Sequence, residues 1–220
     1  MAVPQKSIVR LDELDMKFAE AVAKAGGEKI NLCLQCGTCS ASCPLGRLTP
    51  FRIRQLIRRA QLGFRDKVLS NKDLWLCTTC YTCAHRCPRD ANPMEILIGL
   101  RSLVVEEGMV PRTLGDALEG VYNYGNPWGM SRSKRSDWAQ DLKVKYVSQG
   151  EKVDLLYFVC CATSYDSRAQ GMARAMVKSL NAVGTDFSIL GNRENCCGNE
   201  VYSLGERGLF EELVQKNLGL

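Results

Sequence analysis

Apolar residues recur along the chain at two different periods. Leu11, Leu14, Phe18 and Val22 return at helical spacing before Gly26-Gly27, which predicts an amphipathic helix from about Leu11 to Lys24. Ile53, Leu56, Ile57 and Ala60 form a second stripe, with Thr49 as its cap, Pro50 in the first turn and Gly63 as its stop. A third helix is expected from Asn92-Pro93 to about Glu107, with Ile96, Leu97, Leu100, Leu103 and Val104 inward and Gly108 after it. A shorter helix, about Arg112 to Val121, leads into the turn Tyr124-Gly125-Asn126-Pro127-Trp128-Gly129 and a polar stretch. From Val153 strand and helix alternate. Leu155 to Val159 reads as a buried strand, Asp166 caps a helix to about Leu180, and Gly184 ends it. Phe187 to Leu190 reads as a second strand, and a helix over about Val201 to Leu218 is loosened by Gly205 and Gly208. The order β-α-β-α predicts parallel strands with a helical crossover. The expected architecture is α+β and multi-domain: a helical segment 1–110, a connector 111–152 and an α/β segment 153–220.

The 12 cysteines fall in three places. Cys33, Cys36, Cys39 and Cys43 precede Pro44; Cys77, Cys80, Cys83 and Cys87 precede Pro88. The second set repeats the first at a constant offset of 44 residues, and Leu32/Leu76, Thr38/Thr82 and Pro44/Pro88 repeat with it. This is an internal duplication of a binding unit. The spacing C-x2-C-x2-C-x3-C-P is that of bacterial [4Fe–4S] proteins, in which three close thiolates wrap one corner of a cube and the Cys-Pro cysteine ligates the other cluster. The expected ligand sets are Cys33, Cys36, Cys39 and Cys87 for one cluster, and Cys77, Cys80, Cys83 and Cys43 for the other. Structural zinc would use separated Cys-x2-Cys pairs. His85, the single histidine, lies inside the second unit, where cysteines already fill every ligand position, and reads as a surface or supporting residue. The third group, Cys160-Cys161 and Cys196-Cys197-Gly198, is different in kind and is expected in loops after strand ends. Three readings stay open for it: a metal centre, a redox disulfide, or four uncommitted thiols.

Composition narrows the compartment and the partners. With 220 residues and 45% hydrophobic content the chain can build packed cores without disulfides, and disorder is excluded. The longest nearly unbroken apolar run, Leu155 to Ala162, is far shorter than the roughly 20 residues of a spanning helix, which leaves only peripheral membrane association open. The start, Met1-Ala2-Val3-Pro4-Gln5-Lys6, lacks the apolar core of a secretory signal. A reducing, cytoplasmic setting follows, where clustered thiols mean metal or redox chemistry. Arg47, Arg52, Arg54, Arg58, Arg59 and Arg65 flank or lie on the helix between the units, as a steering face for an acidic redox partner or as a solvated surface. Two oxidised cubanes at about −2 each would take the formal charge of +5 to about +1, so the basic balance belongs to the apoprotein. No recognition motif for nucleic acid accompanies the charge, and Gly-x-Gly-x-x-Gly is absent, so a flavin or nucleotide carrier would be a separate protein.

The 33 residues between Cys43 and Cys77 exceed what a small βαβ ferredoxin places between its motifs. Over about residues 25 to 110 the sequence resembles the α-helical ferredoxin domain of heterodisulfide reductase C-type subunits and of related iron–sulfur subunits of glycolate oxidase and anaerobic glycerol-3-phosphate dehydrogenase. Leu74-Trp75-Leu76-Cys77-Thr78-Thr79-Cys80-Tyr81-Thr82-Cys83 is especially similar to the heterodisulfide reductase version. The segment from Cys160 through Cys196-Cys197-Gly198, with 35 residues between Cys160 and Cys196, resembles the first half of the cysteine-rich CCG module of B-type and fused D-type subunits. That family pattern ends in a Cys-x2-Cys, expected near position 233, beyond Leu220. The turn Asn126-Pro127-Trp128-Gly129 with Arg132, Arg135 and Trp138 resembles the connector of fused members and is read as domain docking. The resemblance implies an α-helical ferredoxin domain with two [4Fe–4S] clusters followed by a partial CCG domain. It also implies a further CCG-type iron–sulfur centre if the missing ligands are supplied. The expected function is an electron-transfer subunit of a heterodisulfide-reductase-like oxidoreductase complex, fed by a flavoprotein or iron–sulfur donor. The rival is a plain relay or scaffold protein whose CCG half docks without chemistry.

Overall fold

A computed structural model describes residues 11–148 and 151–220. Residues 1–10, read above as lacking a signal core, and residues 149 and 150 of the connector lie outside the described residues. The chain divides into two compact units, one of residues up to Met109 with Tyr202–Glu206, the other of Val110–Val201 with Arg207–Leu220.

The first unit is helical throughout: α1 (Phe18–Val22), α2 (Thr38–Ala41), α3 (Ile53–Gln61), α4 (Arg65–Leu69), α5 (Thr82–His85) and α6 (Pro93–Glu106). Helix α6 is its axis and packs against α1, the π-turn Ala23–Gly27 that continues α1, α3, α4 and α5. Eleven of its fourteen residues are buried, so its apolar surface extends well beyond the expected stripe. The backbones come close at Gly99, where a Cβ would lie 3.0 Å from the Gly27 nitrogen and 3.1 Å from the Ala25 carbonyl oxygen. The stripe Ile53, Leu56, Ile57 and Ala60 is buried as expected, and each of its three large side chains contributes about 1.5–3 kcal/mol.

Two helices begin later than expected. Leu11 is 83% exposed, and residues Leu11–Glu13 form only a 3-10 turn. The Asp15 carboxylate accepts from the Lys17 amide at 2.9 Å and the Asp15 carbonyl accepts from Phe18, so the helical run restarts at Phe18. Likewise the Thr49 hydroxyl accepts from the Phe51 amide at 3.3 Å, inside a turn, and α3 starts at Ile53 rather than at Pro50.

The second unit holds α7 (Arg112–Tyr124), β1 (Lys145–Tyr146), β2 (Leu155–Leu156), α8 (Cys160–Tyr165), α9 (Ser167–Ala182), β3 (Phe187–Ile189), α10 (Asn199–Ser203), whose last two residues belong to the first unit, and α11 (Arg207–Leu218). The three strands form a parallel sheet in the order β1-β3-β2, with Lys145 opposite Ser188 and Leu155 opposite Phe187. The expected strand Leu155–Val159 is thus shorter and more exposed than its composition suggests. Leu155 and Leu156 sit on an edge strand, and Val159 gives its amide to the Glu194 carboxylate at 2.8 Å instead of to a neighbouring strand. The stretch expected as a polar connector supplies β1, and Trp138 and Ala139 pack with Val159, Ala173, Val177, Phe187 and Ile189 in the main core of this unit. Asp166 caps α9 by accepting from the Arg168 amide at 2.9 Å. The expected closing helix is two, broken at Gly205. Among the described residues no helix is long and apolar enough to cross a membrane.

Candidate iron–sulfur sites

Three cysteines separated by two residues can face one centre only if the chain reverses between them. The first loop does this with Gln35 (φ 60°) and Gly37 (φ 89°), the second with Thr79 (φ 52°) and Tyr81 (φ 59°). These are equivalent positions at the offset of 44, so the duplication seen in the sequence is a duplication of backbone conformation. Each loop enters from a 3-10 turn with its anchor buried, Ile30 in one and Leu74 in the other, and leaves into a four-residue helix, α2 or α5. A left-handed tyrosine in the place of a glycine is costly by about 1 kcal/mol, and the Tyr81 hydroxyl is held by the Glu95 carboxylate at 3.2 Å.

The sulfur environments repeat as well. The Thr38 hydroxyl lies 3.5 Å from Cys36 Sγ and the Thr82 hydroxyl 3.5 Å from Cys80 Sγ, and these contacts are the main cause that lowers both exposed thiols below their ordinary pKa. Cys39 and Cys83 are buried, and desolvation pushes them up, Cys83 to about 12. Cys33 Sγ accepts from Gln35 Nε2 at 3.4 Å, Cys77 Sγ from the Thr79 amide at 3.4 Å and Cys87 Sγ from the Ala91 amide at 3.3 Å. Cys33, Cys36, Cys39 and Cys87 line one concavity, together with Gly37, Arg54 and Pro88. Cys43 is near enough to Cys77 for its charge to raise that thiol. All eight cysteines carry free thiols. Four free sulfurs lining one concavity, three of them with a hydrogen-bonding neighbour, are the donor set a cubane takes, so the residues present fit the group.

The six arginines do not form one face. Arg65 pairs with Glu107 and lies over the Phe18 ring at 5.4 Å, and Arg52 donates to the Thr49 and Phe51 carbonyls, both at 2.8 Å. Arg54 borders the first cysteine concavity, which leaves Arg47, Arg58 and Arg59 exposed. His85 is exposed on α5.

In the second unit the two cysteine pairs meet. Cys160 Sγ and Cys197 Sγ are 3.7 Å apart, and the four thiols are near enough to shift one another's pKa. Contacts with the neighbouring cysteines hold Cys160 and Cys196 below the ordinary thiol pKa and push Cys161 and Cys197 above it. Cys160 begins α8 with φ 71°, so the first pair sits at a strained helix start rather than in a loop directly after the strand. Two charged residues stand beside these thiols: Arg135, expected as part of the connector turn, and Glu194, which no motif singles out. Arg135, 2% exposed, places its guanidinium nitrogens 3.5 and 3.6 Å from Cys161 Sγ. Glu194, 1% exposed, accepts from Arg135 at 2.7 Å and from the Val159 and Cys160 amides, both at 2.8 Å. Burial pushes the Glu194 carboxyl up, while Arg135 and the two amides pull it down. The connector motif singles out Arg135 without giving it this role, and the only advance signal for Glu194 is a charge set close to the Cys196-Cys197 pair. The Glu200 carboxylate also comes within 4.8 Å of the Cys196 and Cys197 sulfurs. Among the described residues, Cys196, Cys197 and Glu200 are the group whose ligand atoms lie close enough to one another to share a metal ion.

The connector residues pack around these cysteines. Arg132 donates to Asn195 Oδ1 at 2.7 Å, and Trp138 is buried in the core. Asn126, fully buried, donates to the Tyr124 and Met130 carbonyls at 3.2 and 2.8 Å and accepts from the Trp128 and Met130 amides at 3.2 and 3.0 Å. It fixes the turn after Gly125, whose carbonyl lies 3.6 Å from Cys161 Sγ. Asn126→Ala should therefore destabilise the protein by about 1–3 kcal/mol, read by urea denaturation, because it leaves buried backbone groups unpaired. A loss within experimental error would show that the turn needs no such anchor.

Comparison with known proteins gives two family matches. Residues 29–91 match a 4Fe-4S dicluster domain and residues 155–219 a cysteine-rich domain, the CCG family. The chain is 42% identical over 106 residues to the C-type subunit of the H(2):CoB-CoM heterodisulfide,ferredoxin reductase of Methanothermobacter marburgensis, covering 48% of this chain and 57% of that protein. It is 35% identical over 159 residues to a probable iron-sulfur-binding oxidoreductase of Bacillus subtilis, covering 69% of this chain and 23% of that protein. It is 30% identical over 157 residues to an EtfAB:quinone oxidoreductase of Syntrophomonas wolfei, covering 69% and 22% respectively. The chain thus spans little more than half the length of the C-type relatives it matches. Eight cysteines in a dicluster domain imply two [4Fe–4S] clusters. With its duplicated cysteine loops followed by a four-thiol pocket, the chain is an iron–sulfur protein that joins a 4Fe-4S dicluster domain to a CCG domain and is homologous to the C-type subunits of heterodisulfide reductases.

Proposed function

We propose that this chain is the electron-transfer subunit of a heterodisulfide-reductase-like oxidoreductase complex, receiving electrons from a flavoprotein or iron–sulfur partner and delivering them toward the CCG site. The observation that carries this reading is the pair of duplicated thiol loops in one chain with a separate four-thiol pocket. Cys33, Cys36, Cys39 and Cys87 hold one cluster; Cys77, Cys80, Cys83 and Cys43 hold the other. The shared concavity of the first set and the influence of Cys43 on Cys77 support that division. When bound, such clusters supply one-electron transfer. The chain's own residues hold them, shield one side with α6, and donate hydrogen bonds to sulfur, each of which favours the reduced, more negative state. Cys160, Cys161, Cys196 and Cys197 supply sulfur to a further centre, with Arg135 offsetting thiolate charge. Relatives named as heterodisulfide and quinone oxidoreductases support a terminal acceptor from one of those two chemical classes.

Anaerobically purified protein should contain about eight irons and as much sulfide per chain for the two cubanes, and show EPR signals at low temperature after reduction. Zinc in place of iron, with no EPR signal, would sink the reading.

A further inference from the structure

The two cysteine loops are clamped at equivalent carbonyls by different side chains. In the first loop Gln61 Nε2 donates to the carbonyls of Ile30 at 2.9 Å and Cys33 at 3.2 Å. Forty-four residues on, at Leu74 and Cys77, the donor is Arg101: its Nε and one terminal nitrogen reach the Leu74 carbonyl at 3.1 and 2.8 Å, and the same terminal nitrogen reaches the Cys77 carbonyl at 2.9 Å. The geometry of the clamp is preserved, but the charge is not.

Arg101 is 2% exposed, in the middle of the apolar helix α6. Its remaining terminal nitrogen donates to the Ser203 carbonyl at 2.6 Å, and its guanidinium lies 5.4 Å from the Trp75 ring centroid. Every acceptor is a neutral carbonyl, and among the described residues it has no carboxylate partner. A buried, uncompensated positive charge beside Cys77 favours any added negative charge on the sulfurs there, and it does so in a medium where screening is weak. Gln61 offers the first loop only an amide dipole. Arg54 and Arg89 also border the first concavity, but Arg89 is exposed and Arg54 partly so, and water screens both.

We propose that Arg101 is a positioning residue that makes the two clusters inequivalent, setting the one held by Cys77, Cys80, Cys83 and Cys43 at the higher reduction potential. The inference rests on the two-cluster reading above. With both clusters bound, an electron would pass from the first, oxidising it, to the second, reducing it, more favourably than back, and the duplicated fold would conduct in one preferred sense.

The test is an EPR-monitored redox titration of the full chain, with iron content measured on every sample. The wild type should give two midpoints. Arg101→Gln, which copies the first loop's clamp, should lower the upper midpoint by about tenfold in the reduction equilibrium, about 59 mV for one electron, and leave the lower one in place. Arg101→Lys should retain the upper midpoint, which a merely structural clamp would not require. Gln61→Lys should raise the lower midpoint. Coincident wild-type midpoints, or an unmoved upper midpoint in Arg101→Gln with its iron retained, would overturn the proposal. If Arg101→Gln loses its cluster, an unmoved lower midpoint in Gln61→Lys overturns it instead. A wild type without about eight irons would fail the two-cluster reading rather than this one.

Discussion

Cys43→Ala should empty the second cysteine loop and spare the first. Iron should fall from about eight to about four per chain, and the surviving EPR signal should match that of Cys80→Ala, not that of Cys36→Ala. Cys87→Ala should do the reverse. The reason is local: the third cysteine of each loop already lies in a helix of only four residues, and the Cys-Pro cysteine follows two residues beyond that helix. Cys87 accordingly shares its concavity with Cys33, Cys36 and Cys39, and Cys43 lies beside Cys77. If Cys43→Ala and Cys36→Ala gave the same spectrum, each loop would be closing on its own fourth cysteine, and the crossed assignment would be wrong.

Glu194→Ala should cost about 3–5 kcal/mol, the largest single loss of stability expected in the second unit, because it strands the Arg135 guanidinium in a site only 2% exposed. It also leaves the Val159 and Cys160 amides, which meet Glu194 at 2.8 Å, without an acceptor. Glu194→Gln keeps an acceptor for those amides but still leaves the guanidinium unbalanced, so it should fall between. Urea denaturation followed by tryptophan fluorescence, with Trp138 in the core of this unit, measures both. A loss below about 1 kcal/mol would mean the pair is solvated and does not hold the cysteine pocket together.

What is legible in the sequence follows from how local each signal is. The cysteine spacing and its offset of 44 define both loops without any structure, because the ligands, the turns and the threonine partners all lie within a dozen residues. The stripe of α3 and the stop signals at Gly63 and Gly108 are equally readable, and both glycines have positive φ. Non-local features are not. Val159 reads as strand because it is β-branched and follows Leu155 to Phe158, yet its amide is taken by Glu194, 35 residues later. Strand β1 lies in a polar stretch and exists only because β3 offers it a partner. Arg135 looks like one of several linker cations, and only the fold buries it against Cys161. Arg101 has a faint signal, a lone charge between Leu100 and Leu103 in a buried helix, but its acceptors lie on the cysteine loop and at Ser203.

The segment Tyr202–Glu206 belongs with the first unit although the sequence around it belongs to the second. The Tyr202 hydroxyl donates to Glu95 at 2.7 Å, Ser102 donates to the Gly205 carbonyl at 2.9 Å, and a Cβ at Gly205 would come within 2.4 Å of the Ser102 nitrogen. The chain is therefore not divisible by a single cut. A fragment ending at Met109 would keep all eight loop cysteines but lose an acceptor for Arg101, one for Ser102 and one of the two tyrosines on Glu95. The module that could be moved between proteins by recombination is accordingly larger than the cysteine motif that defines it, and it is discontinuous along the gene.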